Sequence, residues 1–165
     1  MDDSETQAER SLELAARYRT LAEEIEAVVE GEQNFVARMA TVAAMLAEAF
    51  NKFFWTGFYV VDRDRATQLV VGPYQGTLGC LRIEFGKGVC GAAAARRETI
   101  IVPDVNDFPD HIACDSRSRS EIVVPVFDRD GGLIAVLDVD SVAPGAFSEI
   151  DAHGLGEIVR RTFGS

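Results

Sequence analysis

The sequence predicts an α+β domain, a mainly antiparallel sheet with helices packed on it. Three observations predict it. Two helical apolar stripes occupy the first part of the chain, up to about residue 51. After them, hairpin signals outnumber strand–helix–strand units. A capping signature then opens a closing helix.

The first helix is expected over residues 8–30, because Leu14, Tyr18, Leu21, Ile25 and Val28 recur at steps of four and three and Gly31 stops the pattern. Its stripe suits packing on its own domain or a dimer contact. Asn34 is a natural N-cap for a second helix, with Phe35, Met39, Val42, Leu46 and Phe50 inward and an end near Asn51. Trp55 to Val61 is aromatic and β-branched, and Asp62-Arg-Asp-Arg turns it into a partner strand, Leu69 to Val71, broken by Gly72-Pro73. Arg82 to Phe85 is a short strand. Gly86-Lys-Gly-Val-Cys-Gly then opens an alanine-rich helix ending at Arg97, and Thr99 to Val102 is a strand ended by Pro103. Residues 103–120 carry two prolines, several aspartates and no periodicity, so a long functional loop is expected. Ile122 to Phe127 and Leu133 to Val139 form a hairpin around Asp128-Arg-Asp-Gly-Gly. Ser148 and Asp151 form a capping box for the last helix, with Ile150, Leu155, Ile158 and Val159 inward and Gly154 and Gly156 weakening it.

Length and charge narrow the function. A chain of 165 residues with 47% apolar and 26% charged residues is ordinary for one globular domain. A net charge of −11 argues against nucleic acid and against an anionic membrane surface as partners. Most of the acidity lies in residues 1–33, which hold ten acids and three bases. This marks a solvated acidic helix rather than a substrate preference. No secretory signal and no run of about eighteen apolar residues is present, so a cytoplasmic location is expected. Cysteines number three, which suits transient thiol chemistry better than a permanent disulfide framework.

Those cysteines, Cys80, Cys90 and Cys114, sit among glycines or beside an acid rather than in apolar runs, and thiol redox chemistry is the leading reading. Helix electrostatics favour Cys90 as a thiolate, since it lies at a predicted helix start. Cys114 lies beside Asp115, which disfavours ionisation. Asp138 and Asp140, two apart on a strand, share a face, and Glu121 begins the strand before it. They mark either a solvated strand end or a pocket awaiting a cation such as an α-ammonium group. Trp55 and Tyr59 also share a strand face, either as core or as an apolar wall for a small ligand. His111 is only three residues from Cys114, which fits a Cys–His hydrolase poorly, and His153 is remote in sequence. No paired Cys/His spacing supports a metal, and Gly86-Lys-Gly lacks the rest of a phosphate loop.

Five motifs in order resemble the free methionine-(R)-sulfoxide reductases, which are single GAF-fold enzymes. These are Gly72-Pro-Tyr-Gln-Gly76, Phe85-Gly-Lys-Gly-Val-Cys-Gly-Ala92, His111-Ile-Ala-Cys-Asp115, Ser120-Glu-Ile-Val-Val-Pro125 and Val136-Leu-Asp-Val-Asp-Ser141. The resemblance implies a GAF-like, six-stranded antiparallel sheet over residues 34–165, with residues 1–33 as an acidic N-terminal extension. It implies reduction of free L-methionine (R)-sulfoxide, no metal or organic cofactor, a homodimer, and thioredoxin as reductant. It makes Cys114 the sulfur nucleophile, overruling the helix-dipole preference for Cys90. Cys80 becomes the usual resolving thiol and Cys90 a second thiol able to exchange with it. Glu121, Asp138 and Asp140 line the pocket, and Trp55 and Tyr59 wall the substrate methyl. The alternative is a GAF-type sensor that binds a small ligand or reports redox state without turnover.

Overall fold

Hairpin pairing assembles the sheet. Its strands are β1 (Trp55–Val61), β2 (Gln68–Gln75), β3 (Arg82–Glu84), β4 (Ile100–Val102), β5 (Ser120–Phe127) and β6 (Leu133–Ser141). They lie in the order β3-β2-β1-β6-β5-β4, every neighbouring pair antiparallel. Helices α2 (Phe35–Ala49), α3 (Gly88–Arg96) and α4 (Glu149–Phe163) pack on it, and α1 (Asp3–Val28) packs chiefly on α4. This computed structural model describes residues 3–112 and 114–164. The expected six-stranded antiparallel sheet with packed helices is what it shows.

Alternation along the central strands builds two cores. Phe58 on β1, Ile122, Val124 and Val126 on β5, and Ala135, Leu137 and Val139 on β6 face α1, α2 and α4. The opposite parity, with Trp55, Tyr59, Val123 and Val136, faces α3 and the long loop. The second face carries the chemistry, because Glu121, Asp138 and Asp140 share its parity.

The N-terminal helix belongs to the larger core. Tyr18, Leu21, Ala22 and Ile25 are buried, but Val28 is 62% exposed and Val29 takes its place inside. A straight helix repeats every 3.6 residues, so the expected stripe drifts off the core by its last turn. Tyr18 lies over Gly154 of α4, where any side chain would collide with its ring. The glycine that weakens α4 in isolation therefore permits the helix contact. Tyr18 Oη also donates to Asp151 Oδ1 at 2.7 Å, and Lys52 Nζ reaches the same oxygen at 3.0 Å. Asp151 Oδ2 accepts from the Ser148 backbone N–H, completing the expected capping box.

Two further local expectations change. Asn34 does cap α2, accepting from the Ala37 N–H at 3.1 Å, but Phe35 is 47% exposed, its ring 6.2 Å from that of Phe163. β2 runs through Gly72-Pro73 instead of stopping there. The β1–β2 register shifts between Gly57 and Tyr59, and β3 pairs only with Gln68 to Val70. Pro73 therefore lies at an irregularity with no second neighbour, where its missing N–H costs no ladder bond.

Candidate active site

The cross-strand register gathers the acids. Asp140 is paired with Trp55 on one side and with Glu121 on the other, and Asp138 is paired with Gly57 and Val123. Side chains directly opposite in a sheet lie about 5 Å apart, so Glu121 and Asp140 are forced together by backbone pairing alone. Gly57 lets Tyr74 and the Pro73 carbonyl of β2 close against it so tightly that no side chain would fit. Of the two readings left open by sequence, a solvated strand end and a pocket, burial decides for the pocket. Glu121 and Asp138 are each only 5% exposed.

Helix α3 lays Cys90 over these acids. Its thiol is within 3.9 Å of Glu121 Oε1. Donor atoms of Cys90, Glu121 and Asp138 all fall within 4.8 Å of one another, a spacing a metal ion could bridge, but one that a cation would have to open by displacing protons from all three. Burial raises the Glu121 carboxyl to about 8, with the Asp140 charge adding to it. Burial also drives Asp138 and Asp140 well above the usual carboxylate range, aided by the Glu121 and Asp138 charges respectively. Burial, then Asp138 and Glu121, push the Cys90 thiol up. The helix start was expected to favour a Cys90 thiolate; desolvation and the three acids overturn that electrostatic expectation. Asp138 Oδ1 is buried with no hydrogen-bond partner among the described residues. Such an atom costs about 1–3 kcal/mol unless something fills the space beside it.

The aromatic wall stands opposite. Trp55 stacks on Tyr59 at 5.5 Å and on Tyr74 at 4.9 Å between ring centroids. Its Nε1 donates to the Thr77 carbonyl at 2.9 Å, fixing the indole edge. Both Trp55 and Tyr59 are core residues and pocket lining at once, so the two readings of their strand pattern coexist.

The long loop closes the pocket from above. A short 3-10 turn, Val105–Asp107, lies near its start, and Arg119 at its end donates its backbone N–H to the Ser141 carbonyl at 2.8 Å. Asp115 accepts from Thr77 Oγ1 at 2.8 Å and holds Arg117 through both oxygens. Arg117 in turn lies 4.9 Å above the Phe54 ring. These guanidinium bonds keep Asp115 well below the usual carboxylate range. Ile112 packs on Gly88, whose φ of +60° and missing side chain admit it.

Cys80 and Cys114 are joined as a disulfide, with Cα atoms 5.5 Å apart, and Cys90 is free. Cys114 and Cys90 both line one cavity of about 40 Å³ with Trp55, Tyr59, Glu121 and Asp138. Asp140 also lines it, whereas Cys80 is not among the lining residues and is half-buried, and its disulfide partner Cys114 is an exposed residue. All eight residues singled out from the sequence therefore meet at one place. His111 was passed over. Its Nε2 lies 3.4 Å from Glu121 Oε2, and its side chain is 14% exposed. Burial lowers its pKa. The signal available in sequence was its place three residues before Cys114 in the same loop.

The GAF domain family matches residues 13–162. The chain is 42% identical over 142 residues to the free methionine-R-sulfoxide reductase of Escherichia coli, covering 86% of this chain and 84% of that protein. It is 39% identical over 139 residues to that of Saccharomyces cerevisiae, covering 82% and 77%. Among solved structures, the free methionine-R-sulfoxide reductase of Neisseria meningitidis in complex with its substrate superposes with a TM-score of 0.85 at 53% identity, covering 90% of this chain and 87% of that one.

Proposed function

The chain belongs to the GAF-domain family and, within it, to the free methionine-R-sulfoxide reductases, and on that premise we propose that it reduces free L-methionine (R)-sulfoxide through Cys114. One observation carries the mechanism: a disulfide to Cys114 lies in the lid of a cavity lined by the buried Glu121 and Asp138 and by Asp140.

The chemistry follows from those parts. The Cys114 sulfur attacks the sulfoxide sulfur while a protonated acid hands a proton to the oxygen. Glu121, raised to about 8 by burial, is a neutral acid at pH 7 and suits that role. The attack makes a transient bond between the two sulfurs; the hydroxyl oxygen then passes to the Cys114 sulfur as the substrate S–O bond and that S–S bond break, and methionine leaves with the electron pair on its sulfur. The sulfenic acid at Cys114 then condenses with the Cys80 thiol, releasing water and forming the disulfide. Thioredoxin restores both thiols by exchange. Cys90 is a further thiol in the same cavity, able to exchange once lid motion exposes it.

Selectivity for the free amino acid rests on Asp138 and Asp140. The unpartnered Asp138 Oδ1 is matched by an α-ammonium group, which a methionine within a peptide lacks. Trp55 and Tyr59 offer an apolar wall to the methyl on the polarised sulfur. Recycling by thioredoxin in the cytoplasm and assembly as a homodimer complete the proposal.

The test is thioredoxin-coupled NADPH oxidation with racemic free methionine sulfoxide. A reductase of this kind consumes about half of the substrate and stops, and leaves N-acetylmethionine sulfoxide untouched. A sensor without turnover consumes none, and comparable turnover of the N-acetylated compound refutes the ammonium argument.

A further inference from the structure

Resting on that reading, we propose that His111 is the positioning residue that relays the Cys114 thiol proton to Glu121 during sulfoxide reduction. Three observations carry it. His111 Nε2 lies 3.4 Å from Glu121 Oε2, closer than any other basic side chain recorded against that acid. His111 and Cys114 occur three residues apart in one lid and both line the same cavity. Ile112, between the two, packs on Gly88, and Asp115, next to Cys114, holds Thr77, so the segment that carries the imidazole and the sulfur is anchored at the cavity both share.

The proton inventory requires such a group. Reduction converts Cys114–SH and a sulfoxide into Cys114–SOH and a thioether, with no net gain or loss of protons. The cysteine sulfur loses two electrons and the substrate sulfur gains them. Yet the thiol must lose its proton on one side of the reacting sulfur while the oxygen gains one on the other. His111 takes the proton from Cys114 as attack begins, Glu121 gives its own to the oxygen, and His111 refills Glu121. No outside acid or base is consumed.

The surroundings favour this direction. The remaining titratable groups lining the cavity are Tyr59 from β1, Lys87 and Cys90 from the start of α3, Asp138 and Asp140 from β6, and Asp115 from the lid. Burial lowers the His111 pKa, so the ring is neutral at pH 7 and free to accept. Asp115 is committed to Arg117 and Thr77 and does not compete for the thiol proton. The 14% exposure of the His111 side chain keeps the ring largely out of bulk water.

The experiment compares wild type, His111→Gln and His111→Ala, using dithiothreitol as reductant and free methionine sulfoxide as substrate. Formation of the Cys80–Cys114 disulfide reports that each variant has folded. Glutamine keeps a neutral polar contact to Glu121 but shuttles no proton, so kcat falls at least tenfold while KM stays within twofold. Added imidazole restores turnover to His111→Ala, and Cys114 in the reduced variants alkylates only at higher pH than in wild type. A His111→Gln enzyme with wild-type kcat and an unshifted Cys114 alkylation profile overturns the relay. A His111→Ala deficit that imidazole leaves unchanged, with a raised KM, assigns His111 to lid packing and overturns it too. A wild-type protein inert toward the sulfoxide instead removes the functional reading on which the relay rests.

Discussion

Glu121 holds a proton at neutral pH because its carboxyl is buried against Asp140, not because of its own chemistry. This has two consequences. A rate that uses the neutral acid falls as pH rises through about 8. Glu121→Gln lowers kcat by roughly a hundredfold or more, the usual scale for a lost general acid. The same residue burdens the fold. Its pKa is raised from 4.5 to about 8, so the unfolded chain releases a proton that the folded one retains, and stability is lost progressively across that window. The melting temperature of Glu121→Gln is therefore expected to gain on wild type between pH 5 and pH 8; a constant difference contradicts a neutral Glu121. Cys90 is expected to resist iodoacetamide in the native oxidised protein and to react only after unfolding, since its thiol is buried and driven up by burial and the acids. Its stoichiometric labelling in the native state contradicts that.

Elements rather than single residues set the reach of the lid and the stability of its base. With the disulfide closed, the cavity of about 40 Å³ holds only about three waters. Reduction frees Cys114 from Cys80, and free methionine is expected to bind the reduced protein at least tenfold more tightly than the oxidised one in a calorimetric titration. Equal affinity would mean the lid does not gate the pocket. On the other face, Asp151 joins α1, α4 and the segment holding Lys52 through one carboxylate. Asp151→Ala leaves Tyr18 and Lys52 without that partner and costs about 3 kcal/mol in chemical denaturation, with little change in substrate KM. Gly154→Ala drives a methyl into the Tyr18 ring and costs about 1–3 kcal/mol. These elements also show which structure was legible. Asn34 and the Ser148–Asp151 box are local signals and stand where sequence put them. The run of β2 through Pro73 was not legible, because tolerance of that proline depends on which strand lies beside it.

Across the whole molecule, period-two alternation on β1, β5 and β6 separates a helix-covered core from a chemical face. Parity alone placed Asp138 with Asp140, and Trp55 with Tyr59, on shared faces. The meeting of Glu121 with Asp140 needed the β5–β6 register, and the meeting of His111 with Glu121 needed the path of the lid. Burial was the least legible quantity. It reverses the helix-start argument for Cys90 and raises all three carboxyls above their usual range, Glu121 to about 8. The account's central claim is that the Cys114 sulfur itself receives the oxygen. It is tested most directly by a single turnover of reduced Cys80→Ser with free methionine sulfoxide, trapped with a sulfenic-acid reagent and mapped by mass spectrometry. The account predicts one methionine per chain and the adduct on Cys114. Methionine formed with the adduct on Cys90, or formed equally by Cys114→Ser, would contradict it.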